Sequence, residues 1–186
     1  MTDKASKESL LEVGDHSLIM SPLGLMDLDL AEEAALKQWK KRKIQTYTDN
    51  AEQLKKVMSN EEILEKIDRV SDMTADDLPK KPMIIPDYGE NGKINMVDDG
   101  TGRKVPGTRQ IMIDYPGWWL SETIAGKVFG IWLSLKTKNP QITLETCDDM
   151  FKSEIEESGY KDDLLELYAN KVGEISAPTV GQEKNA

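Results

Sequence analysis

A single cysteine and a single histidine occur in this chain, and its acidic residues outnumber its basic ones, 34 to 24. With only Cys147 present, no disulfide can form within the chain. Its place on the apolar face of an expected helix makes it a small core residue before it is a reactive thiol. His16 lies far from Cys147 in sequence, so neither a Cys-His pair nor a Ser-His-Asp triad has support, and zinc lacks ligands for the same reason. A net charge of −10 disfavours duplex nucleic acid, whose binding depends on neutralising phosphates. No long hydrophobic run is present either. The opening MTDKASKES lacks the apolar core of a signal peptide, and Glu122 and Lys127 interrupt the most apolar stretch, Trp118 to Leu135. The expectation is a cytosolic protein that meets neither membrane nor nucleic acid.

That apolar stretch is the centre of the chain. Leu120, Ile124, Val128, Ile131, Trp132 and Leu135 recur at three- and four-residue intervals, which predicts one helix of about five turns with Ser121 and Glu122 in its first turn and Lys136 and Lys138 in its last. Gly126 and Gly130 inside it each cost up to about 1 kcal/mol relative to Ala. They therefore mark a surface where another backbone comes close, within the domain or from a partner. Asn139 and Pro140 stop the helix, and Thr143 caps a second from Leu144 that carries Cys147, Met150, Phe151 and Ile155 inward and ends at Ser158-Gly159. A third is expected from Lys161 to about Lys171, with Leu164, Leu165, Leu167 and Tyr168 as core candidates and Gly173 as its stop.

The rest divides by texture. Residues 1–28 read as a flexible arm with at most a short helix over Ser6 to Val13. Residues 29–78 read as a helical segment: one long helix to Met58, or two broken near Thr46 to Asn50, then a helix from about Asn60 to Val70 opened by the S-x-x-E capping box of Ser59 and Glu62. The cluster Lys37 and Lys40 to Lys43 reads as a solvated face or a seat for the acidic C-terminal helices. In residues 79–115 the apolar runs Met83 to Ile85, Ile94 to Val97 and Gln110 to Tyr115 alternate with Asn-Gly and Asp-Gly turns, a β-hairpin and loop element. Residues 116–173 form the helical core and 174–186 a flexible tail. The fold class is mainly α with a small β-hairpin element (α+β), a helical C-terminal half and extended termini.

No catalytic, cofactor or metal site emerges. Asp87 to Asp98 aligns with a calcium loop through Asp87, Asn91, Gly92, Ile94 and Asp98, but Gly89 offers no ligand, and Pro82 and Pro86 stand where an EF-hand needs a helix. Gly100 to Thr108 lacks the order of a phosphate-binding loop and reads as a loop, with partner contact as its other use. The acidic residues Asp148, Asp149, Glu154, Glu156, Glu157, Asp162 and Asp163 read as a solvated or partner-facing surface. The chain is therefore expected not to be an enzyme.

The run Trp132-Leu133-Ser134-Leu135-Lys136, followed by Asn139-Pro140-Gln141-Ile142-Thr143-Leu144-Glu145 and Asp148, resembles the small tail assembly chaperones of long-tailed bacteriophages. The resemblance covers about 30 residues and rests on a helix, a capped turn and an acidic helix. It implies a non-catalytic assembly protein in the host cytoplasm that binds the helical tape measure protein while the tail tube polymerises, working within an oligomer or a larger complex of other phage assembly proteins. Trp118, Trp119, Gly126, Gly130 and Trp132 are then the candidate partner-binding residues, with core packing as the other use of each. A structural component of the virion, in head, neck or tail, is the alternative, with arms and β loops bridging neighbours.

Overall fold

The computed structural model describes residues 8–89, 93–158 and 163–177. In chain order the elements are β1 Ser9–Val13, β2 His16–Met20, α1 Leu25–Asp49, α2 Ala51–Leu54, α3 Asn60–Asp72, a 3-10 turn Ala75–Asp77, β3 Lys81–Pro86, β4 Met96–Asp98, β5 Lys104–Pro106, β6 Thr108–Ile113, α4 Tyr115–Glu122, α5 Ile124–Lys136, α6 Leu144–Ser158 and α7 Asp163–Ser176. The molecule is a mainly helical α+β fold with three small antiparallel strand pairs among the described residues.

Helix α5 is the hub. Its apolar positions run round the whole circumference, so Gly126, Val128, Gly130, Ile131, Leu133, Ser134 and Leu135 are all buried. One side, through Val128, Ile131 and Leu135, packs with Cys147, Met150 and Phe151 of α6, with Leu165, Val172 and Ile175 of α7, and with Leu11, Val13, Leu18 and Met20 of the first hairpin. The other side, through Ala125 and Phe129, packs with Tyr115 and Trp119 of α4, Ala35 of α1 and Leu78. The N-terminal and C-terminal helical segments thus meet across α5.

Four expectations change. Of the expected arm 1–28, residues 9–20 form a β-hairpin rather than a loose segment with a helical turn, residues 25–28 open α1, and residues 1–7 lie outside the described residues. Gly14 turns the hairpin at φ 54°, and period-2 alternation buries Leu11, Val13, Leu18 and Met20 while Leu10 and Ile19 face out. It is also tied by polar groups: buried Asn139 donates to the Ile19 carbonyl at 2.8 Å and to Leu135 at 2.9 Å, and just after β2 the Ser21 N–H donates to the Ser134 carbonyl at 2.8 Å.

The expected five-turn helix is two. Thr123 adopts extended backbone, its Oγ1 accepts from Gly126 N–H at 3.0 Å and donates to the Trp119 carbonyl at 2.7 Å, and the chain bends there so that α4 folds back on α5. Gly173 does not stop α7, which continues to Ser176 and buries Ile175; the helical core thus extends past residue 173, into the stretch expected to begin a flexible tail. The loop Gly100 to Thr108 contains β5, paired with β4 around the Asp99–Arg103 turn, and β3 pairs with β6 rather than with its sequence neighbour.

Elsewhere the local signals hold. The capping box at Ser59 opens α3, with Glu62 N–H donating to Ser59 Oγ at 3.2 Å and Ser59 N–H to the Glu62 carboxylate at 2.7 Å. Helix α1 breaks at Asn50, and Thr143 Oγ1 accepts from Thr146 N–H at 3.0 Å at the start of α6. Lys41, Arg42 and Lys43 are exposed, the solvated-face reading, while Lys40 donates to the Ser71 carbonyl at the end of α3.

Candidate functional site

A concavity lies where the end of α4, the middle of α5 and one face of α7 converge. Leu120 closes it from α4, Gly130 and Ile131 line it from α5, and Ala169, Val172 and Gly173 line it from α7, with Leu23 and Met83 completing the wall. Its volume is about 320 Å3, at the lower end of what ligand pockets offer. The space exists because the helices meet through small residues. A Cβ built on Gly173 would touch nothing within 4 Å, and one on Gly130 would reach only Leu120 Cδ2, at 3.5 Å.

Charge is confined to the rim. Lys127, whose side chain is 18% exposed, pairs with Glu166 across the α5–α7 seam, Asn170 Nδ2 donates to Glu166 Oε1 at 3.4 Å, and Glu122 stands exposed at the α4 end. The interior is apolar, and its lining includes no cysteine or histidine. Such a site can hold apolar side chains and orient them by a charged edge.

The five residues expected to bind a partner do not form one surface. Gly130 lines the groove. Gly126 is buried at the α4–α5 elbow, where a Cβ would stand 1.9 Å from the Trp119 carbonyl oxygen, so the close backbone approach there is within the chain. Trp119 is 3% exposed, its indole N–H donates to Gln38 Oε1 on α1, and its ring lies 5.6 Å from Phe129. Trp132 is half-buried, donates to the Ile142 carbonyl at 3.1 Å and lies under the Lys136 ammonium at 5.4 Å. Trp118 is half-buried against Tyr115, with Lys81 over its ring at 5.3 Å. Sequence reasoning missed Leu23, Ala169, Val172 and Gly173 as lining residues. Small residues at 169 and 173, one turn apart on α7, were the available signal, but Gly173 read more simply as a helix stop.

The other candidates resolve as structure. Cys147 is fully buried with Sγ 3.9 Å from the Val128 carbonyl, and burial, helped by neighbouring Asp148, pushes its thiol up to about 12. In the Asp87 to Asp98 segment, Asp87 accepts from Asn95 Nδ2 at 2.8 Å and Asp98 from Gly100 N–H at 2.9 Å, while Asn91 and Gly92 of the calcium alignment lie outside the described residues. Hydrogen bonds to Thr101 hold the Asp99 carboxyl below its usual range, as expected of a turn. Among the described residues no group of His, Cys, Asp and Glu could hold a metal, and no helix is long and apolar enough to cross a membrane.

Comparison with family models, with curated proteins and with solved structures finds no match.

Proposed function

We propose that this chain is a non-catalytic assembly protein that holds an apolar helical segment of a partner, in the manner of a phage tail assembly chaperone holding the tape measure protein. The groove between α4, α5 and α7 carries this reading. A helix laid in a groove needs apolar walls for its anchor side chains and small residues where the backbones approach. Leu120, Ile131 and Val172 supply the first, and Gly130 and Gly173 the second. Glu122 and the Lys127–Glu166 pair form the polar edge that fixes register while contributing little affinity. Ile124 of α5 and Leu167 of α7 are exposed at 62% and 58% on the same helices, outside the groove lining.

The site of action on this reading is the host cytoplasm, before the particle is complete. The test is capture from lysate of infected cells with wild-type and Gly173→Leu chains, paired with mass spectrometry of purified particles. Gly173→Leu improves helix propensity and fills the groove. A long helical protein captured by the wild type and lost with Gly173→Leu, with the chain absent from particles, supports the proposal; retention in particles at fixed copy number overturns it. The second reading, a structural virion component, is favoured by one observation: the β3–β6 ribbon carries exposed Ile84 and Met112 on its outer face, as a bridging element would.

A further inference from the structure

Two antiparallel pairs are long enough to offer an edge to another strand, β1–β2 and β3–β6, and their edges are not alike. Along β1, the Tyr168 hydroxyl accepts from Glu12 N–H at 2.9 Å and donates to the Glu12 carbonyl at 2.7 Å. Along β2, the Asn139 side chain engages both the N–H and the carbonyl of Ile19. Both edges are thus engaged by the helical core.

The β3 edge is closed differently. Antiparallel pairs alternate between hydrogen-bonded and non-hydrogen-bonded. Proline has no N–H, so Pro82 and Pro86, opposite Met112 and Thr108, fall at non-hydrogen-bonded pairs, and the backbone groups of residues 82, 84 and 86 point away from β6. The Asp87 N–H to Gly107 carbonyl bond at 2.9 Å continues that alternation. Ile84 is then the one N–H donor on the outer edge of β3, a protected edge. By the same alternation the outer edge of β6 presents both backbone groups of Thr108, Gln110 and Met112. These find no backbone partner among the described residues. Beside them the ribbon's outer face exposes Ile84 and Met112, at 71% and 55%.

We propose that β6 is a homodimer interface, in which two copies pair β6 to β6 antiparallel about a two-fold axis at Gln110 to make a four-stranded sheet in the order β3-β6-β6-β3. In this register Gln110 faces its own copy and Thr108 faces the partner's Met112, so every open donor and acceptor of the strand is used. A two-fold axis at Arg109 would set two guanidinium groups opposite each other, which is destabilising. An axis at Ile111 would carry Thr108 past the strand's end to Asp114. All three outward positions are uncharged, so the strand meets a copy of itself without like-charge opposition. The prolines of β3 then lie on both outer edges of the sheet, and assembly closes at two copies instead of propagating. This inference rests on the ribbon's edge and stands apart from the groove.

The test uses the full chain. Sedimentation equilibrium over the micromolar range is expected to show a dimer, and Gln110→Pro, which removes an outward N–H and leaves the ribbon's internal bonds in place, is expected to give a monomer with an unchanged circular-dichroism spectrum. Because Gln110→Pro could fail to fold, a second pair of variants reads the register directly. Opposed residues of a hydrogen-bonded antiparallel pair have Cα atoms about 5.5 Å apart, within disulfide range. Met112 would lie roughly 14 Å from its own copy, four residues out of register. Mild oxidation is therefore expected to cross-link the Gln110→Cys chain into a dimer and to leave the Met112→Cys chain uncross-linked, with buried Cys147 giving no background. A monomer throughout, equal cross-linking of both variants, or a folded Gln110→Pro chain that remains dimeric overturns the proposal. So does a monomeric chain whose β6 edge takes up a strand of a different protein.

Discussion

A methyl group added to Gly126 would stand 1.9 Å from the Trp119 carbonyl oxygen, whereas one added to Gly173 would meet nothing within 4 Å. Both glycines are helical, so both pay the same conformational entropy, and only the surroundings differ. Gly126→Ala is expected to cost about 2–4 kcal/mol, because the α4–α5 elbow must open to admit the Cβ. Gly173→Ala is expected to stabilise by about 0.5–1 kcal/mol. Urea unfolding followed by far-UV circular dichroism measures both; equal effects at the two positions would contradict the elbow. Cys147 gives a second prediction at this scale. Its thiol is raised by burial from 9.0 to about 12, so the unfolded chain releases this proton at lower pH than the folded one. Stability associated with the thiol is intact below about pH 9 and declines as pH rises from there toward 12. Unfolding free energies from pH 8 to 11 are expected to fall less steeply for Cys147→Ala than for the native chain.

At the scale of the element, the N-terminus of α3 is held by side chains that are written in the sequence. Hydrogen bonds from Ser59, backbone first and side chain second, hold the Glu62 carboxyl below its usual range, and Ser59 Oγ accepts from the Glu62 N–H. Ser59→Ala is expected to destabilise the protein by about 1 kcal/mol. Because the folded form lowers the Glu62 pKa, the cap's contribution is present above the carboxyl's ordinary range near 4.5 and disappears as pH falls below it. The difference in melting temperature between Glu62→Ala, which removes the carboxylate that accepts from Ser59 N–H, and the native chain should therefore shrink between pH 5 and pH 3. A difference that is constant over this range would exclude the reciprocal cap. The Thr123 cap was just as local but went unread, since Ser121, Glu122 and Thr123 all suit a helix's first turn and the apolar period runs through them unbroken. What separates α4 from α5 is the close approach of the Trp119 backbone to Gly126, a contact between two backbones that no spacing encodes.

At the scale of the whole molecule, the first hairpin completes the core. Leu11 and Met20 are fully buried against the side of α5 that also holds Cys147 and Phe151. Deleting the hairpin through Met20 would bare that side of α5 and α6. The expected result is loss of cooperative unfolding and of near-UV ellipticity, with helical far-UV signal retained and aggregation at micromolar concentration. A truncated chain that still unfolds in one sharp transition would show that the hairpin is an accessory and not part of the core.

Sequence alone determined what rests on neighbours within one or two turns: the α3 capping box, the cap at Thr143, the helical period from Leu120 to Leu135 and the class of the fold, while it left the break in α1 as one of two options. Each of these is a short-range contest between backbone groups and nearby side chains, and its outcome is set by residue type and spacing. The tertiary structure decided the rest. In the N-terminal stretch Leu10, Leu11, Val13, Leu18 and Met20 alternate weakly enough to suit a loose arm, and they become strands because α5, α6 and α7 leave an apolar face for them to cover. The candidate groove is assembled from Leu23, Gly130, Ala169 and Gly173, residues up to 150 positions apart, whose convergence depends on how three helices pack. The open edge of β6 is likewise a property of pairing, because which backbone groups face outward follows from the strand opposite.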